Sequence, residues 1–147
     1  IIIIIIFLAS IIFLNLKIDK DAQTEFYDIA KYVRDNTLGI NDYYPGNTYI
    51  IPAELSNKWP IKKSDYTPHT AIISTEGFNS LESYIRTSKD SGLTHIVVGE
   101  RVNMPSFLKD VFLHDDTYPY LIKVFDSSLH GYKYHIKIYK IDYTKFK

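Results

Sequence analysis

Hydrophobic and polar positions divide the chain into two regimes. Residues 1–16 read IIIIIIFLASIIFLNL, carry no charge, and have only Ser10 and Asn15 as polar side chains. Six successive isoleucines leave no amphipathic stripe, so this segment needs an apolar environment on every side. Sixteen helical residues rise only about 24 Å, against about 30 Å of hydrocarbon in a bilayer. A secretory leader needs a basic start and a small-residue cleavage site, and Ala9-Ser10 is followed by more isoleucine. The stretch is therefore expected to be the C-terminal part of a truncated transmembrane helix. Lys17, Asp19, Lys20 and Asp21 follow and mark entry into water.

Residues 17–147 show the alternations of one water-exposed α/β domain. Phe26, Ile29, Ala30 and Val33 repeat at helical spacing, with Asp28, Lys31, Arg34 and Asp35 opposite. This predicts an amphipathic helix over 22–36, capped by Asp21 and stopped near Gly39. Asn41, Asp42, Pro45 and Gly46 predict a turn. A short strand is expected at 48–51, a surface excursion at 53–68, and a strand at 70–74. A second helix is expected from Asn79, with Glu82 three residues on as in a capping box, ending at Gly92. Residues 95–98 are continuously apolar after His95 and read as a strand buried on both faces. Pro105 suits the first position of a third helix, with Phe107, Leu108, Val111 and Phe112 inward. Strands follow at 120–125 and 132–142, the second alternating Tyr134, Ile136 and Ile138 with Lys133, His135 and Lys137, whose exposed lysines are expected to blunt the sheet edge. The expected fold is α/β: a mixed sheet with a parallel βαβ core, an antiparallel C-terminal hairpin at the sheet edge, and three packed helices.

Charge narrows the partners. Lys+Arg and Asp+Glu are both 17, so the basic excess of a nucleic-acid module is missing. With no cysteine, disulfide frameworks and cysteine metal sites are excluded. The aromatic load is high, with 13 Tyr and 8 Phe.

Candidate chemistry is sparse. The glycines are scattered singly, so no phosphate-binding loop is present, and no cofactor is expected in this fragment. His114-Asp115-Asp116 has metal-ligand residue types, yet adjacent side chains rarely converge on one ion, and no metal site is expected. His130 and His135 read as a surface pair. Tyr43, Tyr44 and Trp59 are the candidates for contact with an acceptor or a lipid headgroup, because aromatics with nearby polar groups suit amphipathic ligands. Their competing role is to fold back and close the sheet. Asp65, Tyr66 and His69 share one loop without any sign of convergence.

The layout resembles a known family. The phrases that carry the likeness are Phe26-Tyr27-Asp28-Ile29-Ala30-Lys31-Tyr32-Val33, Gly92-Leu93-Thr94-His95-Ile96-Val97-Val98, Pro119-Tyr120-Leu121-Ile122-Lys123-Val124-Phe125-Asp126 and His130-Gly131-Tyr132-Lys133-Tyr134-His135. With the preceding apolar run, they resemble the C-terminal extramembrane domain of archaeal multi-spanning glycosyltransferases of the dolichyl-phosphate-mannose–protein mannosyltransferase type. The resemblance implies a protein that moves a sugar from a polyprenyl-phosphate carrier to an acceptor outside the cytoplasm. Catalytic acidic residues in that family lie between early membrane helices, so none is carried over here. The expected role is a non-catalytic extracytoplasmic domain, partnered by the membrane, by its own transmembrane part and by a glycan or protein acceptor. The alternative is a membrane-tethered binding or sensor domain of another membrane protein.

Overall fold

The computed structural model describes residues 20–42, 70–100, 103–132 and 134–147. The apolar run 1–16, the strand expected at 48–51 and the excursion at 53–68 lie outside the described residues.

The first helix, α1 (Lys20–Asn36), starts two residues before the expected bound, so Asp21 falls inside its first turn rather than at the cap. Its buried face carries Ile29, Ala30 and Val33, as the period requires. Thr37 N donates to Val33 O at 3.0 Å, and Thr37 Oγ1 donates to the same carbonyl at 2.6 Å. The helix is thus closed by a threonine, not by Gly39.

Gly39 instead opens β1 (Gly39–Asn41). This strand replaces the start of the turn expected at 41–46. Gly39 is required there by contact: a Cβ at this position would stand 2.3 Å from the carbonyl oxygen of Gly92. β2 (Ala71–Ile73) is the strand expected at 70–74. α2 (Leu81–Ser88) follows, capped by Ser80, whose side chain accepts from Ser83 N, so the cap lies one residue beyond Asn79. β3 (His95–Gly99) is buried at every position. α3 (Ser106–Leu113) has Pro105 at its N-cap and buries Phe107, Leu108 and Val111. After a 3₁₀ turn at Asp115–Thr117 come β4 (Leu121–Asp126), a second 3₁₀ turn (Ser127–His130), and β5 (Ile136–Ile141).

The five strands run in the order β2-β1-β3-β5-β4. β1 is parallel to β2, with Ile40 opposite Ile72, and parallel to β3 through Ile40 and His95. β5 is antiparallel to both β3 and β4. Two expectations change here. The strand–helix–strand unit exists, but β1 lies between its two strands. The hairpin ends the sheet, yet its lysine-bearing strand β5 is internal and β4 is the edge, so Lys137 and Lys140 do not blunt an edge.

Period-two alternation sends side chains to two cores. Ile40, Val97, Ile136 and Ile138 pack against α1. Ile96, Val98, Tyr139, Ile141 and Leu121 pack with α2 and α3 on the other face. Each fully buried Val, Leu or Ile contributes about 1.5–3 kcal/mol. Helices on both faces explain why β3 has no polar side.

Candidate functional site

The described residues form an open cleft of about 370 Å³ where the start of α2 meets α3. Asn79, Ser80, Leu81 and Glu82 line one wall; Ser106, Phe107, Asp110 and Tyr118 line the other. The two helices are brought together by Leu81, Tyr84, Phe107 and Leu108 in the shared core. That packing carries Glu82 and Asp110 to the rim.

Both carboxylates are already engaged. Asp110 accepts from the Tyr118 hydroxyl and pairs with His114 Nδ1 at 2.9 Å across one helical turn. The Tyr118 hydrogen bond, then that of His114, holds the Asp110 carboxyl below its usual range. Burial, then the bond to Asp110, pushes the Tyr118 hydroxyl up to about 12. Glu82 accepts from the Tyr120 hydroxyl at 3.0 Å, and burial, then this bond, raises Tyr120 as well. A carboxylate has about four lone-pair sites, so each has acceptor capacity left for a hydroxyl-bearing ligand. The Tyr118 and Phe107 rings supply apolar surface beside them. The cleft's two acids are thus each hydrogen-bonded to a phenol from the segment that follows α3.

The His114-Asp115-Asp116 triplet separates. His114 turns to Asp110. Asp115 Oδ2 accepts from the Tyr139 hydroxyl at 2.8 Å and from Lys123 Nζ at 3.1 Å, with Lys137 Nζ at 3.5 Å. Partial burial opposes ionisation of Asp115, but the Tyr139 hydroxyl and the two lysines prevail and hold it at about 2. Among the described residues no group of three or more His, Asp or Glu side chains is placed to hold a metal ion. His130 and His135 also part: His130 stacks on Phe125 with centroids 5.2 Å apart, and His135 Nδ1 pairs with Glu100 Oε2 at 2.8 Å. Tyr43, Tyr44, Trp59, Asp65, Tyr66 and His69 lie outside the described residues.

Sequence reading missed the cleft, although one signal was present. Asp110 and His114 stand four apart, a spacing that places them on one helical face. The meeting of Glu82 with Tyr120, 38 residues away, has no local signature.

A second polar cluster lies where the parallel strands end. Asp42 Oδ1 accepts from Thr75 N at 3.0 Å and Thr75 Oγ1 at 2.7 Å, and its Oδ2 accepts from Ser74 Oγ at 3.1 Å. These bonds join the exits of β1 and β2. No helix among the described residues is long and apolar enough to cross a membrane. No family model, curated protein or solved structure matches this chain.

Proposed function

We propose that residues 17–147 are a non-catalytic, extracytoplasmic accessory domain of a membrane glycosyltransferase that moves a sugar from a polyprenyl-phosphate carrier to an acceptor. The observation that carries this reading is the junction between the uncharged run 1–16 and α1, only three residues later. α1 is itself a core helix, with Ile29 and Val33 packed against the sheet. The sugar carrier and acceptor come from the family resemblance alone.

The test is the reading frame upstream of Ile1, together with flotation of the chain on vesicles. Several apolar spans, with an acidic residue in the first extracytoplasmic loop, are the expected result. A frame encoding only water-soluble sequence, or sugar transfer by the purified chain itself, overturns the proposal. The open cleft between α2 and α3, with Glu82 and Asp110 in its walls, favours the second reading, a membrane-tethered binding domain of another protein. Tight NMR-detected binding of a small ligand at Glu82 and Asp110, without such upstream spans, would select it.

A further inference from the structure

The topology defines which end of the strands lies beside the start of α1. The exits of the parallel strands, at Asp42 and Ser74, share one end of the sheet with the pair Gly99–Ile136 and the pair Asp126–Lys137. α1 runs into β1 through Thr37 and Leu38, so its C-terminal end lies at the opposite end of the strands. Its N-terminal half returns to the strand-exit end. Both Glu25 carboxylate oxygens lie 3.0 Å from Tyr134 N, and Asp28 accepts from the Tyr132 hydroxyl. From Lys20 to Asp28 the helix rises only about 12 Å.

The loop held by these contacts is the 3₁₀ turn Ser127–His130 and its flank. It is braced from within. Asp126 Oδ1 accepts from Ser128 N at 3.1 Å and from Ser128 Oγ at 2.5 Å. Ser127, fully buried, accepts from Ile136 N at 2.7 Å, and Gly131 closes the turn at φ 74°. The result is a fixed platform whose tip, Leu129, is 82 % exposed, more than any other large hydrophobic residue described. Beside it stand the His130 ring on Phe125 and the Tyr132 ring, 6.2 Å from His130. A leucine flanked by amphipathic rings matches the chemistry of the headgroup region, where one end of a side chain is apolar and the other wet.

We propose that the Ser127–His130 turn is a bilayer-contact site, with Leu129 seated in the headgroup region of the membrane that residues 1–16 enter. The occupant is lipid because α1 begins at this same end of the strands, and in sequence only three residues separate it from the uncharged run. The inference rests on the membrane reading of that run. It adds that the strand-exit end, with Asp42, Ser74, Glu100 and His135, faces the bilayer, while Leu38, 70 % exposed at the opposite end, faces away from it.

The chain has no cysteine, so a single introduced one is labelled uniquely. Leu129→Cys and Leu38→Cys variants of the full chain, each carrying an environment-sensitive fluorophore, are reconstituted into phosphatidylcholine vesicles containing nitroxide-labelled lipid. A side chain in the interface sits roughly 5–10 Å into the headgroup–acyl boundary, and quenching at 129 is then expected to exceed that at 38 by about threefold or more. Flotation of the same vesicles separates the two ideas. A chain that does not float overturns the membrane reading and this inference together. A chain that floats, with 129 quenched no more than 38, overturns this inference alone.

Discussion

Asn41 gives the sharpest test of how the parallel core is held. It is fully buried, and its amide binds the β3 backbone twice: Nδ2 donates to Val97 O at 2.8 Å, and Oδ1 accepts from Val97 N at 2.7 Å. Backbone pairing between β1 and β3 is limited to Ile40 and His95, so the side-chain amide continues the ladder where the strands separate. Asn41→Leu keeps the branched shape and heavy-atom count of the side chain, though with larger methyl groups, and removes both bonds, leaving two buried backbone groups of Val97 unsatisfied. At about 1–3 kcal/mol for each orphaned group, partly offset by the apolar gain of leucine, the net loss is about 2–4 kcal/mol. That is a large share of the roughly 5–15 kcal/mol that stabilises a domain. Urea denaturation followed by circular dichroism measures the loss, and hydrogen exchange of the Val97 amide localises it. Asn41→Asp adds a control: it retains an acceptor for Val97 N but buries a charge facing Val97 O. Its carboxyl pKa should rise, so its deficit should shrink as pH falls and a protonated oxygen donates to Val97 O. An Asn41→Leu protein within about 0.5 kcal/mol of the parent, the usual range for neutral surface changes, would refute the reasoning, as would unchanged exchange at Val97.

Three further outcomes follow from the same structure. Burial, then the charge of Lys140, lowers the His95 pKa to about 4, so the unfolded chain binds a proton that the folded chain refuses. Stability is therefore full above about 6.5 and falls as pH drops toward 4, by about 2–3 kcal/mol after allowance for partial solvent screening; an NMR titration of His95 centred near 6.5 would contradict this, and the pH slope should flatten in His95→Gln. Gly39→Ala drives a methyl group into the Gly92 backbone carbonyl and is expected to lower stability by about 3 kcal/mol or more, since strain at a fixed backbone contact is not relieved by a side-chain rotation; a melting temperature equal to the parent's counts against the close approach. Asp115→Asn removes the anion shared by Lys123, Lys137 and the Tyr139 hydroxyl and should cost about 1–2 kcal/mol at neutral pH. Because the Asp115 carboxyl is held at about 2, its contribution is present above about 3.8 and fades as pH falls toward 2, so the variant and parent curves should converge there.

Element types were legible where one face of an element is buried over several turns or the whole strand is enclosed. Ile29, Ala30 and Val33 repeat on α1, Phe107, Leu108 and Val111 on α3, and Ile96–Val98 form an unbroken apolar run; each pattern states its own burial, and each element appears in the structure. The mixed α/β class followed from their order. β1 was hidden because three residues show no period, and because Asn41 has the side chain of a turn residue. Only the tertiary structure could place it in the core, by supplying a backbone partner 56 positions away. The same limit applies to β5, whose alternating lysines fit an edge strand until β4 pairs on its outer side. It applies equally to Asp110, Glu82 and Asp115, whose partners are chosen by how helices seat on the sheet. A hydrophobic pattern specifies which side of an element leaves water. Strand order, and which polar groups meet across the resulting layers, depends on contacts between distant segments that no local run of residues encodes.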